Sequence, residues 1–164
     1  MPGALDVIVG LVYIVYSVLY HEVSDMEVEF LILADAVQAV NGKLYMLGGG
    51  WTTLHAPTTP TTHPLGIALG FRVSWQETNQ VHRLEIRMVD ADGAAIIQPM
   101  QAQLEMGRPP GLRAGADQTA VIAVNAAVQF GKVGRYEVQV AVEGQIVRAV
   151  AFDVVQAHAG QPTR

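Results

Sequence analysis

The chain contains no cysteine, which excludes disulfides, thiolate metal sites and thiol nucleophiles. That absence does not fix the compartment, because a disulfide-free protein is viable anywhere. Charge is also scarce. Only 15% of the 164 residues are charged, against roughly 25% in an ordinary soluble protein. The 10 basic residues begin at Lys43 and form no stripe or patch, so nucleic acid is not an expected partner. Serine is confined to Ser17, Ser24 and Ser74, and no nucleophile-elbow glycines surround Ser74. A hydrolytic triad needs a nucleophile, a base and an orienting carboxylate, and no such set stands out. The expectation is a non-enzyme without metal or cofactor.

The one long apolar run is also short of what a membrane needs. Val7 to Tyr20, VIVGLVYIVYSVLY, has 14 residues, where a spanning helix takes about 20. It matches the core of a signal peptide in length, but no positive charge precedes it and it exits through Tyr20-His21-Glu22. Three readings stay open: a translated leader ahead of a start at Met26, a poor membrane anchor, or an extra apolar element packed on the domain. The first is favoured, because Met26 stands just before the first good strand. The expected layout is a leader at 1–25, a β domain at 26–155 and a disordered tail at 156–164. The expected setting is the cytoplasm, with membrane association through residues 5–20 only if the leader is retained.

What the chain does have is alternation. Val28, Phe30, Ile32 and Ala34 share one face of an extended segment, and Leu31 and Leu33 make the other face apolar too. Asn41-Gly42 is a strong hairpin signal between AlaValGlnAlaVal and Leu44-Tyr45-Met46-Leu47. The triple glycine Gly48-Gly49-Gly50 lacks the lysine and helix of a phosphate loop, and reads as a bulge or a close crossing of backbones. His55 to Pro64, with three prolines and four threonines, reads as an extended surface connection. Its two histidines, His55 and His63, match no standard metal spacing.

Ile67, Leu69, Phe71, Val73 and Trp75 then face one way, with small residues opposite from Gly66 to Ser74. His82, Leu84, Ile86 and Met88 line the inner face of the next strand. Asp90-Ala91-Asp92-Gly93 resembles half a calcium loop without its later ligands, and reads first as a turn. Ala94 to Met106 is a weaker strand broken by Pro99, with Ala102, Leu104 and Met106 inward. After a Gly/Pro-rich loop come a long strand from Thr119 to Phe130, a turn, a strand through Tyr136, Val138, Val140 and Val142, and a hairpin at Glu143-Gly144. Ile146, Val150, Phe152 and Val154 complete the last inner face. Arg148 falls on it at a sheet margin, its stem expected to be buried.

About eight strands with repeated turns and no amphipathic helix imply an all-β fold, expected to be an immunoglobulin-like two-sheet antiparallel sandwich. Gly134-Arg135-Tyr136-Glu137-Val138 adds the pattern of a tyrosine corner. At LADAVQAVNGKLYMLGGGW, THPLGIALG, DADG, GRPPG and GRYEVQVAVEG the sequence resembles a group of small bacterial β-sandwich proteins labelled only as a domain of unknown function. The resemblance covers most of Met26 to Val155. It implies the fold, a bacterial source and a domain starting near Met26, and it transfers no catalytic residue.

The best polar cluster is Trp75, Glu77, Asn79 and His82 around one turn, an aromatic face beside a carboxylate, an amide and an imidazole. Such a set can hold a small polar ligand or sugar. The leading expectation is different: an interaction module that binds a protein partner or itself. The low charge and the small outer-face residues of Gly66 to Ser74 motivate it.

Overall fold

The computed structural model describes residues 26–157. The leader expected at 1–25, and residues 158–164 of the expected tail, lie outside the described residues. Among the described residues the chain is all-β, with ten strands in three sheets. The strands are β1 (Glu27–Ala34), β2 (Ala36–Val40), β3 (Lys43–Leu47), β4 (Thr53–Ala56) and β5 (Thr61–Val73). They continue with β6 (Val81–Asp90), β7 (Met100–Glu105), β8 (Gln118–Phe130), β9 (Gly134–Val142) and β10 (Gln145–Gln156). One sheet is three-stranded, in the order β1-β5-β8; a second is five-stranded, β4-β10-β9-β6-β7; the third is the β2-β3 hairpin. The five-stranded sheet is mixed, because β4 lies parallel to β10, and it curls into a half-barrel. So the all-β expectation holds, while the strand count is ten rather than about eight and the sheets are three rather than two. Among the described residues no helix is long and apolar enough to cross a membrane.

The main core lies between the three-stranded and five-stranded sheets. Leu65, Ile67, Leu69, Phe71 and Val73 of β5 meet Leu84, Ile86 and Met88 of β6 and Val138, Val140 and Val142 of β9 in one apolar cluster. At one end Phe130, Tyr136 and Phe152 pack ring on ring. Phe130 sits edge-on to Tyr136 at 5.0 Å, and Tyr136 stacks on Phe152 at 5.8 Å. Trp51 adds a further edge-on contact with Phe152 at 5.6 Å. Each such pair contributes about 0.5–1.5 kcal/mol beyond area burial. The Tyr136 hydroxyl donates to the Lys132 carbonyl at 2.7 Å, the backward tie expected of a tyrosine at a strand start.

A second, smaller core lies on the other side of β5. Ala34, Val37 and Ala68 are buried there, with Phe30, Ile32, Leu44 and Ala123 packed around them. The alternation read from sequence slips once on the way. A register shift between Val28 and Phe30 sends Val28 into the main core with Leu31 and Leu33, while Phe30 and Ile32 join the second core. The stretch before the hairpin turn is also two strands and not one, broken at Asp35.

Three more expectations shift for local reasons. The Pro/Thr-rich connection is strand at both ends: His55 lies in β4 and His63 in β5, and only residues 57–60 stay outside. Threonine favours the extended ladder, and Pro64 sits in β5 opposite Ala127. The weak strand begins only at Met100, and Ala102 is exposed because β7 is the sheet edge. In β10 a register shift between Ile146 and Arg148 turns Ile146 to the outer face, where it is 53% exposed. Arg148 is exposed as well, not stem-buried.

Candidate functional site

The Trp75–His82 turn follows β5. Trp75 leaves the strand and opens a single 3-10 turn, Trp75–Glu77, rather than ending the inner face of β5. The Thr78 hydroxyl donates to the Trp75 carbonyl at 2.7 Å and closes that turn. Asn79 adopts φ of +59°, which asparagine tolerates better than most residues, and its N–H bonds the Met106 carbonyl at 2.7 Å. His82 is buried on β6. Its Nε2 lies 3.0 Å from the Glu77 carbonyl, which only accepts, so Nε2 carries the proton and donates. A Glu77 carboxylate oxygen lies 3.2 Å from the same nitrogen.

Arg108 completes the turn, and sequence reasoning did not single it out. It comes from the Gly/Pro-rich loop after β7. Its Nε donates to the Thr78 hydroxyl at 2.6 Å, its Nη2 to the Trp75 carbonyl at 2.9 Å, and its guanidinium lies 4.1 Å from the Trp75 ring centroid. A cation over an indole contributes about 0.5–2 kcal/mol. The four expected residues are thus brought into one turn, which the Trp75 and Glu77 carbonyls, the Asn79 N–H and the His82 ring help to hold together. One face of Trp75 is covered by Arg108. The buried Ser74 hydroxyl has no hydrogen-bond partner among the described residues.

The Asp-x-Asp-Gly segment is a turn, and a lysine stands where a bound cation would. Asp90 Oδ1 accepts the N–H groups of Asp92 and Ala94 at 3.0 Å each. Lys132 Nζ lies 3.3 Å from both the Asp90 and Asp92 carboxylates. The Ala94 N–H first, then the Lys132 ammonium, hold the Asp90 carboxyl below its ordinary value. The Asp90 and Asp92 carboxylates raise the Lys132 amine above its own. Among the described residues no group of three or more His, Asp and Glu side chains is placed to hold a metal ion.

The small outer-face residues of β5 are covered by the chain itself. A Cβ added to Gly70 would come within 2.1 Å of the Phe30 ring, and one added to Gly66 within 3.1 Å of the Ala36–Val37 backbone. These glycines are therefore seats for Phe30 and for the β2–β3 hairpin, not an open docking face. Asn125, outward on β8, fastens the hairpin. Its Oδ1 accepts the Val37 N–H at 3.0 Å and its Nδ2 donates to the Val37 carbonyl at 2.7 Å. One amide side chain thus imitates a paired strand. In the sequence its only signal is an amide in the middle of the apolar run from Ala120 to Val128.

The hairpin presents its other face to solvent. Asn41 and Gly42, at φ of +50° and +71°, make the tight turn that their sequence implied. Val37 pairs with Met46 and Ala39 with Leu44, so these four share the face toward β5. The opposite face carries Gln38, Val40, Lys43, Tyr45 and Leu47. Tyr45 is 55% exposed and Leu47 72%. The triple glycine then returns the chain to the core. Gly48 and Gly50 take φ of +57° and +87°, and a Cβ on Gly49 would meet the Met46 sulfur at 2.3 Å. The strand β4 follows, so no helix is present to make a phosphate loop.

No curated protein matches the chain. A model of a family of unknown function, DUF6941, matches residues 29–155, which takes in the turn, the hairpin and nearly all of both cores. The chain belongs to that family.

Proposed function

We propose that the chain is a non-catalytic interaction module that self-associates through the outer face of the β2–β3 hairpin. The observation that carries this is the exposure of Leu47, Tyr45 and Val40 (72%, 55% and 38%) on a hairpin whose inner face is already fastened to Asn125 of β8. Large apolar side chains clustered on a protruding element mark contact surfaces more than scattered ones do.

A second copy is the occupant that the charges favour. Lys43 is the one charged side chain on that face, and it lies beside the turn. Two hairpins laid face to face in opposite directions place their lysines at opposite ends. A five-residue strand spans about 17 Å at roughly 3.4 Å per residue. That exceeds the screening length of about 8 Å at physiological salt, so the like charges do not oppose the pairing. Three large apolar side chains are few beside the roughly 20–30 residues a side of a standard interface, so the association is weak and concentration-dependent. Sedimentation velocity over a concentration series tests it. The expected result is a reversible dimer for the native chain and a monomer for Leu47→Lys. A native chain that stays monomeric at every concentration, or a variant that dimerises equally, overturns the proposal.

The finer architectural expectation, an immunoglobulin-like relation between the three-stranded and five-stranded sheets, belongs to the same proposal. The shared main core and the Tyr136–Lys132 tie support it. A second functional reading keeps a small polar ligand at the Trp75, Glu77, Asn79 and His82 turn. The unpartnered Ser74 hydroxyl favours it, and Arg108 already occupies one face of the Trp75 ring. Alanine at Trp75 and Glu77 that leaves all ligand-induced thermal stabilisation intact removes that reading.

A further inference from the structure

The five-stranded sheet carries an open cleft of about 600 Å³ on its outer face, away from both the hairpin and the Trp75 turn. That volume lies within the roughly 300–1,000 Å³ of small-molecule sites. Its floor comes from three neighbouring strands. Glu85 and Arg87 of β6 alternate with the buried Ile86 and Met88, so they point outward. Gln101 of β7 stands opposite Glu85, and Gln139 of β9 stands opposite Arg87. Val89 and Pro99 line it as well, and give it an apolar side.

The bonding within this floor decides what it presents. The Glu85 carboxylate accepts from Arg87 Nε and from Gln101 Nε2. Gln139 Nε2 donates to Glu137 Oε1 at 2.7 Å. A carboxylate only accepts, so both amides must turn their nitrogens to an acid and keep their carbonyl oxygens for other partners. The terminal nitrogens of Arg87 have no partner among the described residues, nor do those two amide oxygens. The floor therefore offers donors and acceptors side by side. The charges of Glu85 and Arg87 cancel.

We infer that this cleft binds a neutral polyhydroxylated ligand, a sugar or polyol. A hydroxyl both donates and accepts, so adjacent hydroxyls can bridge the Arg87 guanidinium and the amide oxygens together. The carbon–hydrogen face of such a ligand lies against Val89 and Pro99. An anion would meet Glu85 and two amide oxygens, and a cation would meet Arg87. The Glu85 carboxylate holds Arg87 and Gln101 in place before binding, which lowers the ordering cost.

The test is a titration of the full chain with maltose, followed by two-dimensional NMR of the backbone, the glutamine amides and the arginine Nε groups. Saturable shifts are expected at Gln101, Gln139 and Arg87, at millimolar sugar. Gln139→Leu and Arg87→Met should each abolish them, Gln139→Leu with an unchanged thermal midpoint. Leu47→Lys should leave them intact, which separates this site from the hairpin contact. The absence of saturable shifts at these residues overturns the inference. So do shifts that survive both cleft variants, and so does a stronger response to glucuronate than to maltose.

Discussion

The two faces of β5 are both buried, and by opposite means. On the inner face, Leu65, Ile67, Leu69, Phe71 and Val73 fill the main core with large side chains. On the outer face, Gly66, Ala68 and Gly70 make room for a hairpin and a phenyl ring that arrive from elsewhere in the chain. Burial by bulk and burial by absence look different in a sequence. The first is read directly as a core. The second reads as an exposed strip of small residues, which here had suggested a partner's docking face.

Substitutions on the two faces should separate the two kinds of packing. The largest effect belongs to the bulky face. Phe71→Ala should cost about 3–5 kcal/mol, seen as a global fall in the denaturation midpoint. On the bare face, Gly70→Ala should cost about 1–3 kcal/mol through overpacking against Phe30, although it adds a single methyl group. Smaller still is Asn125→Ala. It strips the Val37 N–H and carbonyl of their partner and should cost about 1–2 kcal/mol. Its signature is local: the Val37 amide should lose hydrogen-exchange protection while the β5 and β9 amides keep theirs.

The outermost surface should show almost no effect on folding. Leu47→Lys should change stability by less than about 0.5 kcal/mol while removing self-association. Lys132→Ala gives the smallest change. Asp90 is held below its ordinary value in the folded chain, so its contribution is present above the unfolded carboxylate value and fades as pH falls through the folded one. The Ala94 N–H still supports it in the variant. The Asp90 carboxyl should therefore move up only part of the way, read by NMR titration, and acid unfolding should begin at slightly higher pH.

Alternation and turn chemistry made the strands legible. Asn41-Gly42 and Glu143-Gly144 fixed two hairpins, and the inner faces of β6, β8 and β9 lie where period-two counting put them. What failed was phase. The register shifts after Val28 and after Ile146 each insert one residue, and nothing in the residue types there announces them. The third sheet was hidden for a different reason. A five-residue hairpin strand that docks on a sheet face carries the same signals as one that joins the sheet. At the Trp75 turn the four clustered residues were legible but Arg108 was not, because the loop that supplies it lies about thirty residues further on.

The most direct test of the account is a two-dimensional NMR spectrum of the native chain recorded at low and high protein concentration. The expected result is shift changes confined to Val40, Tyr45, Leu47 and their neighbours on the outer hairpin face, with Val37, Gly66 and Gly70 unmoved. Concentration-dependent shifts at Gly66 and Gly70 would show that the bare face of β5 is open to a partner after all, and would contradict the account.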